Sequence, residues 1–194
     1  MPAATTKLEA VNTILSAVGS SPVNSLAGAQ SNDVRVALST LDEISREVQA
    51  VGWHFNTDEN VPLVPDGTTS EITLPASVVR CDLEDVNANG LDIAQRGQRL
   101  YDRTNRTYQF SASLKATTVS LLDWDELPES ARRYIVIRAA RIFTDRMVGS
   151  VEHHQFTQMD ELRARAALLE FDGDTADHSI FDNWGVARIL HRSI

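Results

Sequence analysis

The chain has 194 residues, of which 42% are hydrophobic and 23% charged, and its formal net charge is −9. This is the composition of an ordinary folded protein; it holds no apolar run near the roughly 18 residues of a membrane span, and its acidic balance lacks the basic stripe of a dedicated nucleic-acid binder. The lone cysteine, Cys81, excludes an internal disulfide and reads as a structural thiol in a reducing compartment.

Met1 to Leu8 carries one lysine and no apolar core, so a secretory leader is not expected. The first helix opens at Thr6, where Thr6 and Glu9 have the spacing of a capping box. Leu8, Val11, Leu15 and Val18 follow at helical intervals, and Gly19 ends the run. A second helix starts near Ser31-Asn32-Asp33, all good N-cap residues. Its apolar series is Val34, Leu38, Leu41, Ile44, Val48 and Val51; Gly52 stops it, and Trp53 and Phe55 follow as large anchors.

From about residue 56 to 122 the period changes from 3.6 to 2. Val61 to Val64, Ile72 to Pro75 and Val78 to Leu83 read as short extended pieces, followed by the turn Asn87 to Gly90. Leu91 to Gln95 and Gln98 to Tyr101 flank Arg96-Gly97 as a tight hairpin. Thr107 to Phe110 and Ala116 to Leu122 complete a small antiparallel unit of roughly five to seven strands.

Helices return at Pro128, which suits a first helical position because it lacks the N–H that such a position leaves unpaired. This third helix runs to about Met147 and breaks at Gly149-Ser150; a fourth runs from about Val151 to Phe171 and stops at Gly173. Its expected apolar face is Phe156, Met159, Leu162, Ala166 and Leu169. The fold class is therefore α+β, a four-helix bundle with an inserted antiparallel β unit and an extended C-terminal arm. The expected divisions are 1–55 with 123–172 for the bundle, 56–122 for the β insertion and 173–194 for the arm. Ile180, Phe181, Trp184, Ile189 and Leu190 make that arm too apolar for a free tail. It either folds back on the bundle or anchors a partner that orders it on binding.

Most catalytic signatures are absent: no phosphate loop, dinucleotide fingerprint or nucleophile elbow. His153 and His154 are adjacent, so on a helix they diverge by about 100° and cannot share a metal; His54, His178 and His191 are scattered. No metal or cofactor is expected. The carboxylates Asp123, Asp125, Glu126 and Glu129 could serve a glycoside hydrolase, which needs two such groups about 5–10 Å apart. Acids at the start of a helix also stabilise its dipole, and that role accounts for them without catalysis.

The third helix is unusual in mixing Tyr134, Ile135, Ile142 and Phe143 with Arg132, Arg133, Arg138, Arg141 and, near its end, Arg146. Lys7 and Lys115 are the only lysines; every other base is arginine. Arginine is enriched in protein interfaces because its planar, weakly hydrated head pairs bidentately with carboxylates, although a GC-rich genome would favour its codons equally. The acids Asp42, Glu43, Glu47, Asp160 and Glu161 lie on the other predicted helices. They are candidate partners for these arginines, within one chain or between copies.

Three segments together resemble the tail tubular protein A family of T7-like short-tailed bacteriophages. They are Leu127-Pro128-Glu129 through Phe143 with Arg146 and Val148-Gly149-Ser150; Gly52 through Thr57 followed by Val61-Pro62-Leu63 and Pro65-Asp66; and Ala10 through Leu15 with Gly19 and Pro22-Val23. Tyr101-Asp102-Arg103-Thr104 also fits, so the likeness runs from the N-terminus to about residue 170. The resemblance implies a structural virion protein, made in the host cytoplasm, that forms an adaptor ring of about twelve copies. The ring joins the portal protein above to a tubular nozzle protein (tubular protein B-like) below, and DNA passes through its centre without sequence-specific binding. On this reading Arg132, Arg133, Arg138, Arg141 and Arg146 serve subunit contacts and the arm residues dock the portal. The alternative is a tail-associated glycan hydrolase working through the Asp123 to Glu129 cluster.

Overall fold

In the computed structural model the described residues are 4–28, 31–83, 91–147 and 151–176, with the side chains of 151–157 outside the description. Four α-helices and small antiparallel sheets occupy separate stretches, an α+β arrangement. The chain divides into two units, one drawn from Met1–Leu41 and Pro128–Ile194, the other from Asp42–Leu127.

In the first unit, α1 spans Lys7–Ser16. Thr6 caps it as its spacing predicts: the Glu9 N–H donates to Thr6 Oγ1 at 3.2 Å and the Thr6 N–H donates to Glu9 Oε2 at 2.8 Å. These bonds, the backbone one foremost, hold the Glu9 carboxyl below its usual range. Gly19 and Ser20 close the helix by donating to the carbonyls of Ser16 and Leu15, a Schellman pattern. The buried face is Ala10, Val11, Ile14 and Leu15.

Helix α2 spans Asn32–Gln49, so it begins in the first unit and ends in the second. Ser31 caps it, accepting from the Val34 N–H at 3.4 Å. Val34, Ala37, Leu41, Ile44 and Val48 are buried. Val51, expected to continue the series, is 58% exposed because the helix has already ended.

Helix α3 spans Glu129–Met147 and α4 spans Val151–Thr175. Pro128 stands one place earlier than expected, as the cap whose carbonyl accepts from the Arg132 N–H. Both α1 and α4 pack on α3, whose Ile135, Ala139 and Phe143 are fully buried. Two expectations for α4 fail. Gly173 lies inside the helix rather than ending it, since one glycine costs only about 1 kcal/mol there. Met159, Leu162, Ala166 and Leu169 face outward, while Ala164 and Leu168 are buried. Phe156 falls outside the described side chains. Apolar residues sit on two sides of this helix, so periodicity alone did not identify the packed one.

The second unit holds β1 (Thr57–Leu63), β2 (Val78–Leu83), β3 (Ile93–Arg96), β4 (Arg99–Asp102) and β5 (Leu114–Ser120). A three-stranded antiparallel sheet has the order β1-β5-β2, and β3-β4 form a separate hairpin. Register slips between Asp58 and Val61 on β1, and between Val78 and Arg80 on β2. The hairpin pairs Arg96 with Arg99, so its turn is Gly97-Gln98, one residue beyond the expected position. The segments expected as strands at Ile72 to Pro75 and Thr107 to Phe110 make only isolated bridges, through Glu71, Thr73, Thr107 and Gln109. They still supply the core, where Ile72, Leu74 and Phe110 pack with Leu63, Leu100 and Ala116. The turn expected at Asn87 to Gly90 lies outside the described residues.

A buried polar junction organises this unit. Asn56 Nδ2 donates to the carbonyls of Gln49 (2.9 Å) and Ser120 (2.8 Å), and its Oδ1 accepts from the Trp53 N–H at 2.8 Å. Gln49 in turn accepts from the Leu122 N–H at 2.7 Å and donates to the Leu122 carbonyl at 3.3 Å. The Trp53 indole N–H donates to the Val48 carbonyl at 2.7 Å. Gly52, at φ +83°, makes this route possible: a Cβ there would lie 2.4 Å from Arg80 Nη2 in a backbone region that side chains disfavour. Arg80 Nη1 also donates to the Val51 carbonyl at 3.1 Å.

Asp102 is the buried acid of the hairpin, 3% exposed. Burial opposes its charge, but hydrogen bonds from the Asn105 backbone and side chain and from the Thr104 backbone outweigh it and hold the carboxyl below its usual value.

Asn56→Ala leaves buried partners unsatisfied, and denaturant unfolding followed by tryptophan emission should show a loss of about 2–4 kcal/mol. The lowered Asp102 pKa means that the unfolded chain binds the extra proton between the native value and the ordinary value near 3.9, so stability rises with pH across that window. Asp102→Asn should therefore cost about 1–3 kcal/mol at pH 7. Its deficit should shrink as the pH falls through the native Asp102 pKa, read as denaturation midpoints along an acid series.

Candidate functional site: the arginine network and cleft of the helical unit

Helical spacing places Arg138 and Arg141 close together on α3, three residues apart, and α4 sets Glu161 against both. Arg138 Nη1 lies 3.0 Å from Glu161 Oε1, and Arg141 Nε donates to Glu161 Oε2. Arg141 also reaches Asp145 at 3.2 Å, one turn along its own helix. The Glu161 side chain is 12% exposed and the two arginines 25% and 20%, so this triad is largely withdrawn from water. Two cations on one carboxylate leave the cluster positive, and Asp145 offsets the excess. The arrangement fixes α4 on α3 by charge as well as by Ala164 and Leu168.

A second polar clamp holds the start of α3. Glu129 accepts from the Thr5 N–H at 2.8 Å and from Thr5 Oγ1 at 2.6 Å, while Arg132 Nη1 donates to the Thr5 carbonyl at 2.9 Å. Arg132 is 6% exposed. Glu129 also sits in the first turn of α3, where a negative charge suits the helix dipole. Near the other end of α3, Arg146 Nη1 donates to Thr40 Oγ1 at 3.3 Å.

The structure therefore gives Arg132, Arg138, Arg141 and Arg146 partners inside the chain. Arg133 differs: it is exposed, makes no ion pair among the described residues, and lines a cleft of about 610 Å³. The cleft runs beside α3 and α4, with Val136, Ile137, Ala140, Ala164 and Ala167 lining it. Asp160 and Arg163, paired at 3.5 Å, stand at its edge with side chains 60% and 75% exposed. Thr5, Thr13 and Glu129 line it as well, so the cleft is apolar along part of α3 and α4 and polar elsewhere.

The other candidate acids do different work. Asp123, Asp125 and Glu126 belong to the second unit and Glu129 to the first. Glu126 Oε2 accepts from the Asp123 N–H at 3.0 Å, capping the single 3-10 turn Trp124–Glu126. Among the described residues no group of three or more His, Cys, Asp or Glu side chains is placed to hold a metal ion, and no described helix is long and apolar enough to cross a membrane. Cys81 is half-buried; burial foremost, and then the neighbouring Asp82 charge, push its thiol up to about 11. At neutral pH such a thiol is a weak nucleophile. The arm residues Ile180, Phe181, Trp184, Ile189 and Leu190, with His178 and His191, lie outside the described residues.

Glu161→Ala should lower the stability of the helical unit by about 2–4 kcal/mol, because it strands two largely buried guanidinium groups. Arg163→Ala breaks only an exposed pair and should stay within about 0.5 kcal/mol of the parent. Paired thermal and denaturant melts of the two variants check the contrast.

A family model described as tail tubular protein matches residues 8–178. No curated protein matches the chain.

Proposed function

The chain belongs to the tail tubular protein family, and from that premise we propose that it is the adaptor subunit of a short phage tail. Membership makes it a structural component of the phage tail and of the virion. On our reading, copies made in the host cytoplasm form a ring of about twelve, head to tail. The four helices form a bundle that builds the ring, which joins the portal protein to a tubular nozzle protein. DNA passes through the centre, and segment 173–194 reaches the portal.

The observation that carries this reading is the family match over most of the chain together with the outward apolar residues of the helical unit, Met159, Leu162 and Leu169. Large apolar side chains grouped on one exposed helix face suit a subunit that is covered in its assembly. The charge of −9 per chain supports the same reading. A lumen lined by like charge repels phosphate and lets a duplex slide.

The test is the mass of the purified full chain by light scattering, alone and after mixing with a portal ring. A new complex at the summed mass of portal and a ring of adaptor subunits is expected. A portal ring whose mass the chain leaves unchanged overturns the adaptor reading.

A further inference from the structure

We propose that the outer face of the β3–β4 hairpin is a docking surface on which Arg96 and Arg99 receive the carboxylates of an acidic segment of another protein. The hairpin pairs Ala94 with Tyr101 and Arg96 with Arg99. Directly opposed residues share a face of a sheet and alternate residues return to it, so Arg96, Arg99 and Tyr101 stand together on one side. Leu100 and Asp102 stand on the other and are buried. The bridge between Asp102 and Thr107 then sets Tyr108 beside Tyr101. Both arginines are exposed and both tyrosines half-buried.

The arginines are held by rings more than by acids. Arg96 Cζ lies 3.6 Å from the centre of the Tyr101 ring and Arg99 Cζ 4.4 Å from that of Tyr108, and the two rings meet edge to face at 4.9 Å. Arg99 Nη1 also donates to Glu71, 3.2 Å from each carboxylate oxygen. Arg96 has neither a hydrogen bond nor an ion pair among the described residues. A guanidinium laid on a ring is fixed in place while its five N–H donors stay unused. An oxyanion arriving at that edge meets donors that are already ordered.

Nothing in the fold of the hairpin requires this arrangement. Like charges directly opposite on paired strands repel. The 11 residues from Arg96 to Arg106 hold four arginines in a chain of net charge −9, and their one acid, Asp102, is turned inward. Local conflicts of this kind are kept where a function uses them.

The same geometry selects the occupant. Nucleobases bind by stacking on open aromatic faces, and sugar rings use the same faces. Here each ring gives a face to a guanidinium and also touches the other ring. A long polyanion would have to run on from this patch over a chain of net charge −9. A short acidic segment of a protein needs only the patch. Arginine and tyrosine are also the residues that most often carry the binding energy of protein contacts, and a tail tubular protein assembles with other tail proteins.

The test is a titration of the isotope-labelled full chain, followed by NMR at the arginine Nε–H and backbone signals. The probe is a short peptide of alternating glutamate and glycine. The Arg96 and Arg99 signals should shift saturably, with half-saturation at or below about 1 mM. Arg96→Gln should weaken binding at least about tenfold, as expected for one charge-assisted contact, while Arg35→Gln on α2 should leave it unchanged. Arg96 is exposed, and an unchanged spectrum away from the hairpin shows that the variant folds.

Absence of a saturable shift overturns the proposal, as does undiminished binding by Arg96→Gln. Equal binding of the same peptide with glutamine in place of glutamate also overturns it, because carboxylates are then not what is recognised. Binding of oligothymidylate as tight as that of the acidic peptide would assign the surface to nucleic acid instead, and overturns it too. None of these outcomes bears on portal binding, so they are distinct from failure of the adaptor reading.

Discussion

The backbone groups where α2 ends and the sheet begins cannot pair with one another, and two side-chain amides supply what they lack. A helix end leaves carbonyls unbonded, and a strand end leaves both donors and acceptors unbonded. Asn56 and Gln49 answer both with bonds to Trp53, Ser120, Leu122 and the Gln49 carbonyl. Gln49 is 2% exposed and Asn56 3% exposed, so water cannot take over if either amide is removed. The sheet, with β5 at its centre, follows this junction, and the small core joins Leu63, Leu100 and Ala116 of the strands to Ile72, Leu74 and Phe110 of the connecting segments.

The helical unit solves the same problem with charge. Glu161 reaches two arginines, and Glu129 with Arg132 clasps Thr5, the residue before the α1 cap. Placing these groups out of water is costly unless each is paired and oriented. The arginine-rich composition of α3 is thus explained largely from inside the chain. Arg133 is the exception, exposed on the cleft and without an ion pair among the described residues.

Local rules were legible wherever the determinant is local. The Thr6–Glu9 cap, the Ser31 cap and the α2 stripe through Val34, Leu41 and Ile44 all rest on short-range spacing. What could not be read depends on distant partners. Asn56 lies in a segment that carries the family resemblance, yet nothing in its neighbours announces that its amide spans to Ser120, 64 residues away. The packed side of α4 was misread because Ala164 and Leu168 are fewer and smaller than the apolar residues opposite them. Glu161 is one of several acids that could pair with these arginines, and only the packing of α4 on α3 shows that it reaches both Arg138 and Arg141. Ile72 and Leu74 were expected in a strand; they are core residues held by single bridges, a distinction that alternation cannot express.

The slipped registers of β1 and β2 have a consequence for a phage tail protein, which is built into an assembly with other tail proteins. These are the two edges of the sheet, and an edge with regular unpaired amides invites the strand of a neighbouring molecule. Here β1 breaks step between Asp58 and Val61, with Asn60 in a left-handed conformation, and then carries Pro62, which has no N–H to offer. On the other edge β2 breaks step before Arg80. Both margins are irregular where a templating strand would need them straight. Each margin is therefore a poor template for a strand from any protein packed beside it.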